Sequence, residues 1–177
     1  RLYQIESDES VSARTVSNIN AYLVAGLNVF VSPQNKAPHD RTPMQFGNHP
    51  YYANALMLRQ QEAGELLRRN PSASELIRPL YGSKEFISGV PRYCAWITAD
   101  SLEKASVIPD INERINAVKV ARQEKSADIQ AQKLTAFPYR FRDQYTASSH
   151  VLVVPIVSSE NRSYLPVGLT GPEAIIH

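Results

Sequence analysis

The sequence has 177 residues, of which 43% are hydrophobic and 20% charged, and its formal net charge is +2. This length suits one sizeable hydrophobic core, and the composition is that of an ordinary globular protein. No apolar run approaches the ~20 residues of a transmembrane helix, and the polar first ten residues do not resemble a signal peptide. The single cysteine, Cys94, excludes an internal disulfide and predicts a reducing, cytoplasmic location.

The predicted elements alternate between helices and strands, which indicates a mixed architecture. Apolar residues at helical spacing predict helices, and short β-branched or aromatic runs between Gly and Pro residues predict strands. Pro109 suits the first turn of the clearest helix. In chain order the predictions are a short helical or turn segment after Asn18 that Tyr22 and Leu23 close, a strand at Leu27–Val31, a loop at 34–52, a helix through Arg69 into which Leu56, Met57 and Leu58 lead, a helix at Ser74–Leu80, strands at Glu85–Ile87 and Tyr93–Thr98, a helix from Pro109 to Leu134, and paired strands at His150–Val157 and Tyr164–Val167.

Positive charge is concentrated between residues 111 and 142, although the whole chain is nearly neutral. This segment has seven basic residues and three acidic ones. A charge run alone is usually a solvated helical face, and it supports nucleic-acid binding only when other features agree. The basic residues are Arg114, Lys119, Arg122, Lys125, Lys133, Arg140 and Arg142, and the acidic ones are Glu113, Glu124 and Asp128.

Catalytic and cofactor motifs are missing from the sequence. There is no GxGxxG or GxxxxGK loop for a phosphate, no GxSxG nucleophile, and no histidine or cysteine spacing that fits a zinc site. The segment Asn48 to Tyr51 (NHPY) resembles the NPPY motif of amino-methyltransferases, but it lacks the expected strand before it. We therefore predict no catalytic, cofactor-binding or metal-binding residue in this chain.

A polar cluster interrupts two apolar runs near the end of the sequence. Residues 153–157 (VVPIV) lead directly into Ser158, Ser159, Glu160, Asn161 and Arg162, and the chain then returns to Tyr164 and Leu165. A plain turn favours Gly, Pro, Asn or Asp for backbone reasons, whereas this cluster has no Gly and offers hydrogen-bond donors and acceptors of every kind. A structural alternative stays open, in which Glu160 pairs with Arg162 and the serines cap the turn.

Four segments together resemble the C-terminal target recognition domain of MmeI-like (type IIL) DNA methyltransferases. The combination of RYCAWI with SSENRSYLP is the specific part, and Tyr51, Tyr52 and Ala53 depart from the acidic and small-residue run that usually follows GNxP in this family. The resemblance extends roughly from Ile19 onward. The segments are GNHPYYANALML (47–58), NPSASELIRPLYGSKEFISGVPRYCAWI (70–97), FPYRFRD (137–143) and VVPIVSSENRSYLPVG (153–168).

This resemblance implies an α+β fold with a central, mostly antiparallel twisted sheet flanked by helices. It also implies that residues 1–177 are a single domain of a longer bacterial, cytoplasmic enzyme, with residues 1–15 as a linker from an upstream methyltransferase domain. That domain would bind S-adenosylmethionine and methylate adenine, and a nuclease domain using Mg would accompany it in some relatives. The partners implied are double-stranded DNA and the upstream domain, with no membrane.

The residues expected to touch DNA fall into two groups. The first group reads bases: we expect Arg162 to donate to guanine, Asn161 to pair with adenine and Glu160 to accept from cytosine. The second group consists of basic residues, which we expect to hold phosphates and to set the register of the protein on the DNA. The full predicted set is Asn48, His49, Lys84, Arg140, Arg142, Ser158, Ser159, Glu160, Asn161, Arg162 and Tyr164.

Two other functions stay open at this point. A protein-interaction module that docks a partner domain would expose an apolar patch instead of a basic surface. A small enzyme that uses the Asn48–Tyr51 loop would show a concave pocket with a perturbed titratable group.

Overall fold

The computed structural model describes residues 1–30, 32, 44–159 and 161–177. The chain divides into two compact units, the N-terminal unit (Arg1–Met44) and the main unit (Gln45–His177). The predictions of one domain over residues 1–177 and of a linker at residues 1–15 stay predictions. Among the described residues, no helix has both the length and the apolar character that a membrane span requires.

The N-terminal unit begins with a hairpin of two antiparallel strands, β1 (Leu2–Ile5) and β2 (Val11–Arg14). Asp8 shapes the connection, because its carboxylate accepts from the backbone N–H of Ser10 at 3.0 Å. Such a local bond is typical of Asp in turns. The sequence did not predict this hairpin, whose strands are short and largely exposed.

A turn follows where the sequence predicts a short helical or turn segment. The Asn20 side chain accepts from the backbone N–H of Tyr22 at 3.0 Å, and Ile19 and Ala25 form an isolated antiparallel bridge. The strand predicted at Leu27–Val31 is wrong for residues 27–30, which are irregular; Val31 lies outside the described residues. Of the loop predicted at 34–52, residues 44–52 are irregular as expected, and residues 34–43 lie outside the described ranges.

A four-stranded sheet forms the centre of the main unit, in the order β3-β5-β4-β8. Strand β5 lies antiparallel to both β3 and β4, and β8 adds parallel to the outer side of β4. The sheet is therefore mostly antiparallel, and with the helices around it this confirms the predicted α+β class. The strands are β3 (Met57–Leu58), β4 (Ile77–Tyr81), β5 (Arg92–Ala95) and β8 (Ile175–Ile176).

Five α-helices accompany this sheet in the described part of the main unit. The longest, α4, starts at Pro109 as predicted and buries Ile111, Ile115 and Val118 at helical spacing. The core joins these residues to Leu80 and other apolar side chains of the sheet. The helices are α1 (Gln60–Arg69), α2 (Ser83–Ser88), α3 (Leu102–Ser106), α4 (Pro109–Gln123) and α5 (Ile129–Leu134).

Several predicted boundaries and types are wrong in the main unit. The helix predicted from Pro109 to Leu134 is two helices, because Asp128 caps a new one by accepting from the Ala131 N–H at 3.0 Å. The helix predicted at Ser74–Leu80 is mainly strand β4, and the strand predicted at Glu85–Ile87 is helix α2. The helix predicted to follow Leu56, Met57 and Leu58 is present as α1, which ends at Arg69 as expected.

The end of the main unit carries a separate hairpin of β6 (Val151–Val153) and β7 (Gly168–Thr170), which pair antiparallel. Strand β6 is shorter than the strand predicted at His150–Val157, and β7 begins just after the strand predicted at Tyr164–Val167. Residues 154–167, which we call the hairpin loop, connect them. Consequently the predicted recognition cluster lies on a long connection instead of a tight turn.

Candidate nucleic-acid interface

Asn48 lies inside the main unit, with 2% of its surface exposed. Its amide nitrogen donates to the carbonyl oxygens of Tyr145 and Ile176, each at 3.0 Å, and its amide oxygen accepts from the Tyr145 N–H at 2.5 Å. Its backbone N–H also donates to the Ile176 carbonyl at 2.6 Å. Asn48 therefore joins three segments of the fold, and its burial argues against the DNA contact predicted for it.

His49, Tyr51, Tyr52 and Arg142 lie together at the surface, and we call this group the aromatic–arginine surface. The guanidinium carbon of Arg142 is 5.4 Å from the centroid of the Tyr51 ring, and the ring centroids of His49 and Tyr51 are 5.6 Å apart. The backbone N–H of Arg142 donates to the His49 carbonyl at 3.0 Å. The fold thus brings together two residues of the predicted set that are distant in sequence.

Asp143 orients this group. Nε and Nη2 of Arg142 donate to its carboxylate, Nη2 at 2.8 Å, and the backbone N–H of His49 donates to it at 3.3 Å. The bond from Arg142 is the main reason that the pKa of Asp143 is lowered, and the same bond raises the pKa of Arg142. Nη1 of Arg142 has no hydrogen-bond partner among the described residues, so this edge of the guanidinium is open to an anion.

Tyr51 and Tyr52 adopt φ angles of +49° and +65°, a left-handed conformation that side chains other than glycine rarely take. Asp128 holds both hydroxyl groups: Tyr51 donates to its two oxygens at 2.9 Å, and Tyr52 donates to one of them at 3.3 Å. The bond to Asp128 is the main cause of the raised pKa of Tyr51. Two consecutive strained residues thus depend on contacts from elsewhere in the chain.

Arg140 and Lys84 occupy different settings from Arg142. The guanidinium carbon of Arg140 lies 4.8 Å from the centroid of the Phe137 ring, and its buried Nε has no partner among the described residues. Lys84 is on the short helix α2 and is exposed. Tyr139 and Phe141, which alternate with the two arginines, are buried. Arg140 is therefore only partly available, and Lys84 offers its charge from a separate element.

The hairpin loop exposes the rest of the predicted set. Ser158, Ser159, Asn161, Arg162 and Tyr164 are all exposed, and Glu160 lies outside the described residues. Two bonds within the loop involve the cluster: the Asn161 N–H donates to Ser159 Oγ, and the Arg162 N–H donates to the Ser159 carbonyl, each at 3.2 Å. The side chains of Asn161 and Arg162 make no hydrogen bond to the described residues, so their donors and acceptors face solvent.

Apolar side chains surround this polar cluster and are also exposed. Leu152 and Leu169 are direct partners across the hairpin and are 64% and 68% exposed. On the other face, Gly168 packs so closely against Phe86 of α2 that a Cβ there would lie 2.9 Å from the ring. The hairpin therefore has one face against the main unit and one apolar face in solvent. The remaining exposed apolar residues of the loop are Ile156, Val157, Leu165 and Val167.

The basic segment predicted between residues 111 and 142 is not a continuous outward face. Arg122 has 0% of its surface exposed, and Arg114 donates to the Ala55 carbonyl at 2.7 Å. Lys119, Lys125 and Lys133 are exposed. The sequence did not predict three residues of this region as site residues, namely Arg122, Tyr51 and Asp128. The burial of Arg122 had a sequence signal, since it continues the helical spacing of Ile111, Ile115 and Val118.

Other reactive groups in the described residues offer little for catalysis. Burial raises the pKa of Cys94 to about 12, so its thiol is a core group at neutral pH. No three metal-ligating side chains cluster among the residues that the structure describes.

A known family matches most of the chain. The family profile described as "MmeI, target recognition domain" matches residues 25–177, which is more than half of the chain. The chain therefore belongs to the family of MmeI target recognition domains. This confirms the resemblance drawn from the four sequence segments.

Individual relatives agree with the family assignment. DNA methyltransferase A of Bacillus subtilis (strain 168) is 39% identical over 163 residues, which cover 92% of this chain and 18% of that protein. A solved structure, described as "Structure of Type IIL restriction-modification enzyme MmeI in complex with DNA has implications for engineering of new specificities", is similar with a TM-score of 0.76. It is 26% identical, and the match covers 98% of this chain and 23% of that one. The chain thus spans less than a quarter of the length of these two relatives.

Proposed function

We propose that this chain recognises a short double-stranded DNA sequence for an adenine-specific, S-adenosylmethionine-dependent DNA methyltransferase of a restriction-modification system. Membership of the target recognition family supports this function. One relative is named a DNA methyltransferase, and a similar structure is described as a complex with DNA. We further propose that residues 1–177 belong to a longer bacterial, cytoplasmic enzyme in which the cofactor, and Mg where a nuclease is present, bind other domains.

The exposed cluster in the hairpin loop is the observation that carries this proposal. Arg162 and Asn161 make no side-chain hydrogen bond to the described residues. The guanidinium of Arg162 matches the two acceptors of guanine in the major groove, and the amide of Asn161 matches the donor and acceptor of adenine. Ser158, Ser159 and Tyr164 offer hydroxyl groups to bases or to the backbone. The proposed acceptance from cytosine by Glu160 rests on the sequence alone.

Phosphate binding by the aromatic–arginine surface would set the register. Arg142 presents an open Nη1, and Lys84 adds a charge from another element. A positive residue on a rigid base gives orientation without reading the sequence. Because Arg122 is buried, we expect only about 3 to 5 phosphate contacts, which corresponds to a salt slope of about −2.7 to −4.5.

The apolar face of the hairpin supports a further partner, the methyltransferase domain proposed upstream. Leu152 and Leu169 form a cross-strand apolar pair in solvent, and such exposed patches commonly mark interaction sites. An interaction module without DNA binding would use the same face. Catalysis by the Asn48–Tyr51 loop is disfavoured, because Asn48 is buried and its amide oxygen, which would have to accept from a target amine, already accepts from the Tyr145 N–H.

Duplex binding by the full-length protein tests the proposal. We expect the dissociation constant for the preferred duplex to rise with salt, and Arg162→Ala to reduce discrimination at one base pair in a panel of single-substituted duplexes. Gln61→Ala, at an exposed position in the first turn of α1, serves as a control that leaves both quantities unchanged. Binding that does not change with salt, together with unaltered discrimination in Arg162→Ala, would contradict DNA recognition by this chain.

A further inference from the structure

Arg122 is a fully buried arginine whose five N–H donors all bind backbone carbonyl oxygens. Nε donates to Tyr51 at 3.0 Å, Nη1 to Leu134 and Phe137 at 3.0 and 2.9 Å, and Nη2 to Pro50 and Arg140 at 3.2 and 2.8 Å. A guanidinium has five N–H groups, so this set of acceptors, which we call the carbonyl cluster, satisfies it completely.

The charge of Arg122 is compensated without an acidic partner among the described residues. Burial, the main cause, lowers its pKa to about 10, so the guanidinium remains charged at neutral pH. A buried cation is costly unless hydrogen bonds replace its hydration. The five carbonyl dipoles therefore have to stay in place around the side chain, and this requirement fixes the backbone segments that supply them.

Those segments carry the aromatic–arginine surface. Two of the carbonyls belong to Pro50 and Tyr51, directly after His49, and two belong to Phe137 and Arg140, just before Arg142. The fifth ends helix α5, and Arg122 itself comes from helix α4. One side chain thus ties the loop that carries Tyr51 to the segment that carries Arg142.

The backbone conformation of Tyr51 depends on its contact with Arg122. Its φ of +49° is unfavourable for tyrosine, and its carbonyl is bound by Arg122 while its hydroxyl is bound by Asp128. The residue is thereby fixed at both ends, and the Arg142 guanidinium lies 5.4 Å from the ring centroid. Loss of the carbonyl bond would release the backbone of Tyr51 from its strained state and move the ring.

We propose that Arg122 is a positioning residue for DNA binding, which acts by holding Tyr51 so that its ring places Arg142 against a phosphate. This rests on the proposed function of the chain. Arg122 itself touches no DNA in this scheme. Its contribution to binding therefore passes entirely through Arg142, and this dependence separates positioning from a general role in stability.

A double-mutant cycle in the full-length protein tests this dependence, with duplex binding measured across a range of salt concentrations well below the melting temperature of every variant. Arg122→Lys keeps the charge but offers three donors on one nitrogen, which cannot replace a five-donor fork. We expect Arg122→Lys and Arg142→Ala each to reduce the size of the salt slope by about 0.9, the value of one phosphate contact. The double variant should equal Arg142→Ala alone, and additive losses would overturn the proposal.

Val118→Ala is the matched control, because Val118 is fully buried one turn earlier on the same face of α4 and makes no side-chain hydrogen bond to the carbonyl cluster. It should lower the melting temperature and keep the salt slope of the unaltered protein. A similar change of slope in Val118→Ala would show that any loss of stability weakens binding, and the positioning role would be wrong.

Two further outcomes are distinguishable. If Arg142→Ala weakens binding and Arg122→Lys does not, the positioning role fails and the proposed function stands. If Arg142→Ala and Arg162→Ala both leave binding unchanged, the proposed function fails.

If Arg122→Lys does not fold, Tyr51→Ala tests the same link, because it removes the ring beside Arg142 and keeps the five bonds of Arg122. A salt slope unchanged from the unaltered protein would then overturn the proposal.

Discussion

The loop at residues 47–53 and the described residues of the hairpin loop are both irregular and rich in polar groups, but their side chains have different surroundings. In the first, Asn48 is buried and hydrogen-bonded on both amide atoms, and the carbonyls of Pro50 and Tyr51 bind Arg122. In the second, the side chains of Asn161 and Arg162 stand in solvent. The same residue types therefore hold the fold together in one loop and remain available for recognition in the other.

The two loops together give the domain both a fixed position and an adaptable surface. Buried polar groups with every bond satisfied define one arrangement of the backbone. Exposed side chains on a long connection can change with little effect on the core. We expect stability to depend on the first loop and sequence preference on the second, and each prediction below tests one side of this contrast.

The largest expected effect compares two asparagines. Asn48→Ala leaves the Tyr145 N–H and two backbone carbonyls without the side-chain partner, and should lower the free energy of unfolding by about 3 kcal/mol. Asn161→Ala should change it by less than about 0.5 kcal/mol and should alter the base preference instead. Urea denaturation measures the first quantity and binding to single-substituted duplexes the second. Equal stability of the two variants would remove the distinction between the loops.

Two arginines sharpen the contrast between reading and anchoring. Arg162→Ala should cost about 1 to 3 kcal/mol of binding free energy on the preferred duplex and relax discrimination at one base pair. Arg142→Ala should weaken binding to all duplexes about equally, because every phosphate is chemically the same. Methylation of a panel of single-substituted sites by the full-length protein measures both. A large fall in melting temperature for Arg162→Ala would mean that the hairpin loop is structural.

Two glycines test how tightly the first loop is packed. A Cβ on Gly47 would lie 2.8 Å from the Ile176 carbonyl oxygen, so Gly47→Ala should destabilise the chain by more than about 1 kcal/mol. Gly64, in the middle of helix α1, has open space around it, and Gly64→Ala should add about 0.5 to 1 kcal/mol because Ala suits a helix better. Chemical denaturation gives both values, and a neutral Gly47→Ala would show that the loop can move away from β8.

Sequence reasoning succeeded where the signal was local or belonged to the family. Pro109 and the spacing of Ile111, Ile115 and Val118 predict the start and the buried face of α4, and the four family segments predict the α+β class. Local signals for α2 are also present, since Glu85 accepts from the Gly82 N–H at 3.0 Å and Gly89 ends the helix at φ +69°. The β-branched and aromatic residues between them favour a strand, and that preference produced the wrong prediction.

Sequence reasoning failed where long-range pairing decides the structure. Strand β4 contains Pro79 and its local sequence favours a helix, but it pairs along β5, with Pro79 opposite Tyr93. In the same way, the helical spacing of α4 indicates that Arg122 is buried, but its five carbonyl partners lie 12 to 72 residues away in the sequence. Only the fold shows that Pro50 and Tyr51 offer their carbonyls to Arg122. It likewise shows that the Asn48 amide binds the carbonyls of Tyr145 and Ile176.

The smallest expected effect concerns the charge of Asp128. The bond from the Ala131 N–H is the main cause of its lowered pKa in the folded chain, and the bonds from the two tyrosines add to it. The stabilising contribution of the carboxylate is therefore present above the unfolded value of about 3.9 and is lost as the pH falls through the folded pKa. Asp128→Asn keeps an oxygen to cap α5 but has no charge. The variant should be less stable at pH 7, with a difference that shrinks below about pH 4.

The charge of Asp128 can stabilise the chain through the Ala131 N–H or through the Tyr51 hydroxyl. Tyr51→Phe separates these two contributions, because it removes the hydroxyl that donates to Asp128 and keeps the ring beside Arg142. The comparison uses four chains: the unaltered protein, Tyr51→Phe, Asp128→Asn and the double variant. If the charge of Asp128 holds the Tyr51 turn, Asp128→Asn should cost less stability at pH 7 in the Tyr51→Phe background than in the unaltered chain. Thermal melts between pH 3 and pH 7 measure the difference. An equal cost in both backgrounds at every pH would mean that the charge of Asp128 acts at the start of helix α5 and does not hold the Tyr51 turn.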